Sequence, residues 1–302
     1  MPAAPNTQDW VLDNDILVEL PDANLDRWRQ RNAGNCLHID EDPSNQREGF
    51  YARVRESMRE WSPAYNGVLN DLSGSPFTMC TGDTYSQGNT NFLYHSGVKA
   101  AILPSVGRTI GYFIAATAEE TRHGWQDNEG MMVSSDTPLT RQGQLAEILM
   151  LEADGAAFAV LTAHELRLAG RPEAWEFIQN SNGHRAMADA FTASLDAAGV
   201  GTDEAASPAQ YRDAMGAAFE AWMANPDYLR FYSERNEELL SGLPHSTATA
   251  GAEGAALTDR LPTAVVGEDR ADLYFGSDQA QLAAQVAFQQ IPVQRVAPAL
   301  AR

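Results

Sequence analysis

Basic residues are scarce. The chain has 21 Lys and Arg against 41 Asp and Glu, a formal net charge of -20 and a pI near 4.5. A surface this acidic repels phosphate backbones and anionic lipid, which excludes nucleic acid and membrane surfaces as expected partners. Cysteine is scarcer still: Cys36 and Cys80 are the only two. Two cysteines are too few for a disulfide framework, and neither stands in a CxxC or similar ligand spacing, so they point to a reducing compartment. No apolar run approaches the roughly 18 residues of a membrane span. The opening text, MPAAPNTQDWVLDNDILVEL, lacks a basic stretch followed by an apolar one, so the chain reads as soluble, without a secretory signal, and cytoplasmic. GxSxG, P-loop and strand-to-helix GxGxxG patterns are missing as well, which leaves hydrolase-elbow and nucleotide readings without support. No internal repeat of fixed period is present.

What is there is an ordinary globular composition, 302 residues at 44% hydrophobic, enough for one large domain or two small ones with a proper core. Residues 1–45 mix Pro, Asn and Asp with short apolar clusters and read as an extended N-terminal arm. Residues 46–244 read as the helical domain. Phe50, Val54, Met58 and Trp61 predict a helix ended by Ser62-Pro63, with further helix following to Leu72. A Gly/Ser/Thr-rich stretch, Ser73 to Thr90, precedes Phe92-Leu93-Tyr94 and Val98 to Leu103, which fit two strands of a hairpin around Ser96-Gly97. From Arg108 to about Gly242 the period is helical, with breaks at Asp127 to Pro138, Gly170 to Pro172, Gly199 to Pro208 and Asn225-Pro226, giving five or six helices. Residues 245–302, rich in Ala, Thr, Gly and Pro, read as an extended C-terminal arm with one helix, Asp278 to Gln289. The fold class is mainly α (α+β): a helical core, a small strand region before the site helix and extended terminal arms.

On the helix from Arg108 to Gln126, Ile110, Phe113, Ile114, Thr117, Thr121, Gly124 and Trp125 form the core-facing stripe. Glu119, Glu120 and His123 cluster on another side within about 100° of arc, beside small Ala116. They make either a site wall or a solvated polar face. On the next helix, Thr140 to about Ala169, Glu152 lies within the apolar stripe of Leu145, Ile148, Leu149, Ala156, Ala159, Val160 and Ala163. An unpaired carboxylate there costs several kcal/mol, so Glu152 is expected to be protonated, paired with an arginine or bound to a metal. Asp154 points roughly the opposite way and is expected to be exposed or hydrogen-bonded. His164-Glu165 starts like an HExxH motif, but Leu168 stands where the second histidine belongs, which makes His164 a structural or surface residue. His38, His95, His184 and His245 have no ligand spacing around them. Tyr211, Tyr228 and Tyr232 are candidate hydrogen-bond donors to a tetrahedral intermediate, although their aromatic series fits packing between helices better.

In HExxH sites the ligands stand at i and i+4, with the residue at i+1 as general base for water. Here i holds Glu119, i+1 Glu120 and i+4 His123. Glu120 and His123 also form an ExxH pair of the di-iron type, but a second such pair is not found. The text Glu119-Glu120-Thr121-Arg122-His123-Gly124-Trp125-Gln126, followed by Glu152-Ala153-Asp154-Gly155-Ala156, resembles a bacterial family of putative metallopeptidases that reads approximately HELRHAWQ and then EADA. It is more remotely similar to the gluzincins. His164 to Gly170 matches loosely, and the resemblance covers about Phe92 to Trp175. It implies Glu119, His123 and Glu152 as metal ligands, Glu120 as the catalytic base, and a peptide or protein as the substrate or partner. The first motif histidine is replaced by Glu119, which turns a His-His-Glu set into Glu-His-Glu. That change weakens zinc, makes a bound water less acidic and favours harder ions such as manganese or iron. Two function classes follow: a metallopeptidase-like hydrolase, or a catalytically inactive relative that acts as a structural or assembly component, forming a homo-oligomer or larger particle through its arms.

Overall fold

A computed structural model describes residues 34–81, 93–103, 109–131 and 141–240. The expected helix Asp278 to Gln289 and most of both arms lie outside these residues. The described chain is mainly helical with one small sheet. It runs β1 (Cys36–His38), α1 (Gln46–Trp61), α2 (Pro63–Leu72), β2 (Thr78–Thr81), β3 (Leu93–His95), β4 (Ala100–Leu103), α3 (Ile110–Asn128), α4 (Arg141–Leu168), α5 (Glu173–Asn180), α6 (Arg185–Ala197), α7 (Pro208–Met223) and α8 (Pro226–Leu240).

The punctuation expected from sequence sets the boundaries. Ser62 caps α2, its hydroxyl accepting from the Tyr65 amide at 3.1 Å, and Pro63 fills the first helical position, where no amide is needed. Thr109 caps α3 in the same way through the Tyr112 amide. Ser207 and Gln210 form a reciprocal capping box at α7. From α3 onward there are six helices, and the breaks after Asn128, Leu168, Ala197 and Met223 fall where Gly, Pro and polar clusters predict them. The hairpin is present too. β3 pairs antiparallel with β4, Leu93 opposite Ile102, and the turn between them is a short 3-10 helix followed by Lys99 in the left-handed region at φ 54°.

Two strands were not foreseen. β2 pairs parallel with β4, and β1 antiparallel with β2, so the sheet order is β1-β2-β4-β3. β1 uses residues that read as part of the N-terminal arm, and β2 uses the Thr-Met-Cys-Thr text inside the Gly/Ser/Thr-rich stretch. Three- and four-residue strands leave too short an alternation to be read. The pairing also changes the reading of the two cysteines. Cys36 stands directly opposite Cys80 with Cα atoms 4.0 Å apart, and their sulfurs are bonded. Disulfides belong to oxidising compartments, so the pair does not carry the reducing-compartment reading. No described helix is long and apolar enough to cross a membrane.

Helix α3 lies between the sheet and the helical layer, packing on β3 and β4 on one side and on α4 and α5 on the other. Gly124 lets it approach the sheet side closely: an ideal Cβ there would fall 2.4 Å from the Phe77 ring. Tyr65 on α2 is fully buried and reaches Thr121 Oγ1 at 3.3 Å. Thr121 gives its own proton to the Thr117 carbonyl at 2.7 Å, so Tyr65 is the donor. Helix α4, 28 residues long, is buried on nearly every side, with Leu149, Met150, Leu151, Ala153, Ala157, Phe158 and Leu161 all in the core. At its far end Glu165 accepts from Ser62 Oγ at 2.5 Å and from the Ala64 amide at 3.0 Å, tying α4 to the start of α2.

Candidate metal centre

Because both α3 and α4 are covered on more than one side, their helical wheels mislead about what is exposed. The polar side of α3 is not a solvated face. Glu120, Arg122 and His123 are buried there, while Ile110, assigned to the core stripe, is 46% exposed. On α4 the two carboxylates exchange roles. The Glu152 side chain keeps 24% exposure and Asp154 keeps 5%. The arginine pair expected for a core carboxylate belongs to Asp154, whose Oδ2 accepts from Arg122 Nε at 3.1 Å. An apolar stripe locates a core only when one side of the helix is packed, and α4 is packed by α3, α5, α7 and α8.

The α3–α4 interface brings together the three residues expected as ligands. One carboxylate oxygen from each of Glu119 and Glu152 and one ring nitrogen of His123 lie within 4.8 Å of one another, and His123 Nε2 is 3.9 Å from Glu152 Oε2. That separation is too long for a hydrogen bond and close to the roughly 3.4 Å between two donors on one tetrahedral ion. The spacing follows from helix geometry: Glu119 and His123 stand one turn apart on α3, and Glu152 comes from the facing helix. Glu120 is buried one residue along, at 7% exposure. Burial, and second the charge of Glu152, push the Glu119 carboxyl up to about 8.

Glycine opens the middle of this cluster. An ideal Cβ at Gly155 would lie 3.0 Å from His123 Cε1, 3.1 Å from His123 Nε2 and 3.3 Å from Glu119 Cγ. The absent side chain leaves room beside the donor atoms themselves, and a donor set of two carboxylates and one imidazole fits a divalent cation.

Behind His123 stands a chain of buried polar groups. Nδ1 lies 2.7 Å from Gln126 Oε1, and Gln126 Nε2 donates to the Leu151 carbonyl at 3.1 Å and to Asp154 Oδ2 at 2.5 Å. The Arg122 guanidinium that pairs with Asp154 lies 3.7 Å over the Trp125 ring, and Trp125 Nε1 donates to Asp71 at 3.2 Å. Sequence reasoning passed over Gln126 and Trp125 as chemistry. The signal was their place in the EETRHGWQ text, read only as a resemblance.

Of the three tyrosines, Tyr228 bears most directly on the cluster. Its hydroxyl is buried with no hydrogen-bond partner among the described residues, and burial, followed by the charge of Glu119, pushes its phenol pKa above the usual range. Tyr211 packs against Phe191 and His164, and Tyr232 against Trp222, as core aromatics do. His164 is buried in that aromatic cage at 2% exposure, and His184 is half-buried between Phe177 and Tyr228. Neither joins the cluster.

Two buried helices thus bring a histidine and two glutamates into a cluster that could hold a divalent cation. A family model described as a putative metallopeptidase family (DUF6782) matches residues 28–248, and the chain belongs to that family. No curated protein and no solved structure matches it.

Proposed function

We propose that this chain is a metal-dependent peptidase in which Glu119, His123 and Glu152 hold one divalent ion and Glu120 is the general base. The observation that carries this reading is the convergence of the three donor atoms within 4.8 Å at the opening left by Gly155. A divalent ion held there would supply Lewis acidity, polarising a scissile carbonyl and acidifying water. Two carboxylates with a single imidazole favour manganese or iron relative to zinc when compared with a two-histidine set. In this reading Glu120 takes a proton from the attacking water and passes it to the leaving amine. Tyr228 keeps its phenol proton and donates a hydrogen bond to the substrate oxygen as negative charge develops. The substrate is a peptide or protein.

One feature favours the second reading, a catalytically inactive relative that binds a protein partner. At position 119 a carboxyl stands where the family resemblance expects histidine, so the donor set departs from that of the family's motif. Elemental analysis separates the two. Protein purified without chelator or a metal-affinity tag is expected to carry about one equivalent of manganese, iron or zinc, lost in His123→Ala, and Glu120→Gln is expected to abolish turnover with the metal retained. No metal in either sample after ions are added back leaves the inactive, partner-binding reading. In that case order in the arms on forming a homo-oligomer is the next measurement.

A further inference from the structure

The buried chain behind His123 settles which of its two nitrogens carries a proton. One end of the Gln126 amide lies 3.1 Å from the Leu151 carbonyl oxygen and 2.5 Å from Asp154 Oδ2. A backbone carbonyl only accepts, so that end is the NH2 group. The other end is therefore the oxygen, which only accepts, and it lies 2.7 Å from His123 Nδ1. A contact of that length needs a proton, and only Nδ1 can supply it. A neutral imidazole has one N–H, so Nε2 is left with its lone pair, and Nε2 is the nitrogen that approaches Glu152 and Gly155.

We propose that Gln126 is a positioning residue that locks His123 in the Nδ1–H tautomer and aims the Nε2 lone pair at the Glu119–Glu152 cluster. The assignment of Nε2 as a ligand rests on the metal reading above, whereas the tautomer does not. The amide is fixed by two anchors. Leu151 O is part of the α4 backbone, and Asp154 is held by Arg122, which is itself stacked on Trp125. Gln126 is fully buried, so water does not compete for these bonds. The choice of an amide has its own consequence. A carboxylate at position 126 would accept the same proton but would add a further negative charge behind a site that already has Glu119 and Glu152, and would face Asp154 with like charge. Glutamine orients the ring without charge. The Arg, Trp and Gln of EETRHGWQ, with the Asp of EAD, thus act together as the support of one imidazole.

The test is histidine-selective 15N NMR of the full chain at pH 8 after removal of metal with a chelator, alongside titration of the same sample with Zn2+ and with Mn2+. His123 is expected to carry its proton on Nδ1 with a bare Nε2; a proton on Nε2 in the wild-type protein overturns the proposal. Gln126→Leu keeps the volume and removes both ends of the relay. It is expected to populate the Nε2–H tautomer and to weaken ion binding 10–100-fold, and an unchanged tautomer and affinity overturn the positioning role. Should that variant fail to fold, Gln126→Met, which likewise removes both ends of the relay, is read by the same two measurements. A wild-type chain that shows Nδ1–H yet binds neither ion overturns the metal reading and leaves the role of Gln126 standing.

Discussion

Arg122 and Asp154 meet across the α3–α4 interface with both side chains at least 95% buried, Nε 3.1 Å from Oδ2. The pair joins the two helices that supply the candidate ligands. Burial pushes the Asp154 carboxyl up and the Arg122 guanidinium down, and each is opposed by the partner's charge. Asp154→Ala leaves the guanidinium buried without its counter-ion and is expected to cost about 3–5 kcal/mol. Replacing both residues with apolar ones, Arg122→Met with Asp154→Leu, is expected to cost clearly less than Asp154→Ala alone. Urea unfolding of the two variants checks the order, and a double variant no more stable than Asp154→Ala would show that the pair is not coupled.

Gly155→Ala probes the opening without removing a ligand. Alanine in a helix interior is favoured over glycine by about 1 kcal/mol, a gain opposed in the metal-free protein by the 3.0 Å approach to the held His123 ring. The new methyl group presses on His123 and Glu119 Cγ. Ion affinity is expected to fall about tenfold or more, measured by isothermal titration with Mn2+ beside the melting temperature of the metal-free form.

Tyr228→Phe removes one hydroxyl that has no hydrogen-bond partner among the described residues. Loss of an unsatisfied buried group is neutral to stabilising, so the melting temperature is expected to hold or rise. If the hydroxyl serves the developing oxyanion, kcat on a peptide substrate falls on the order of a hundredfold with metal content unchanged. Unchanged kcat removes Tyr228 from the mechanism.

His164 and Glu165 are neighbours on α4 with opposite pH behaviour. Burial pulls the His164 ring down to about 4, and burial pushes the Glu165 carboxyl up to about 7 against its bonds from Ser62 and Ala64. The histidine contributes stability above about 6.5, and that contribution is lost as pH falls toward about 4. The glutamate contributes fully below about 4.5, and its contribution is lost as pH rises through about 7, a difference on the order of 3 kcal/mol. Between about 4.5 and 6.5 the two slopes oppose each other and the wild-type curve is expected to be flattened. His164→Phe is expected to expose a fall in stability with rising pH, and Glu165→Gln a fall in stability with decreasing pH. Denaturant midpoints from pH 4 to 8 check both, and two variants with the same slope would contradict the assignment.

The Cys36–Cys80 bond closes a loop of 44 residues that includes α1 and α2. Chain-entropy arguments give about 4 kcal/mol for such a loop. Reduction, or the double change Cys36→Ser with Cys80→Ser, is expected to lower stability by roughly that amount. Alkylation of the native, unreduced protein is expected to label neither thiol. Labelling of both would show that the sulfurs are free.

Most helices were legible because each has a readable boundary: Ser62-Pro63, Thr109, Gly170 to Pro172 and Ser207-Pro208 carry capping or breaking chemistry in the text itself. Glu119, His123 and Glu152 were legible as a set through i, i+4 spacing and a family likeness, and the structure brings them together. The orientation of α4 was not legible. Its wheel placed Glu152 inward and left Asp154 exposed or hydrogen-bonded, of which the second holds, but in a buried setting; the stripe rule presumes one covered side, whereas this helix is packed on several. β1 and β2 were hidden for another reason: they depend on pairing across 44 residues, between Cys36 and Cys80, and no local pattern in three or four residues reports such a partner. Gln126 was missed because an amide is given no role until its two ends are seen against their neighbours.

The sheet ends, among the described residues, on β1 and β3, each only three residues long, with β1 covalently fastened to its neighbour. An unpaired border that short offers an incoming strand almost no ladder to extend, and the fastening forbids the slip in register by which a border strand could be displaced or exchanged. The described border strands are thus poor templates for strand addition, and at β1 the fastening opposes strand exchange as well.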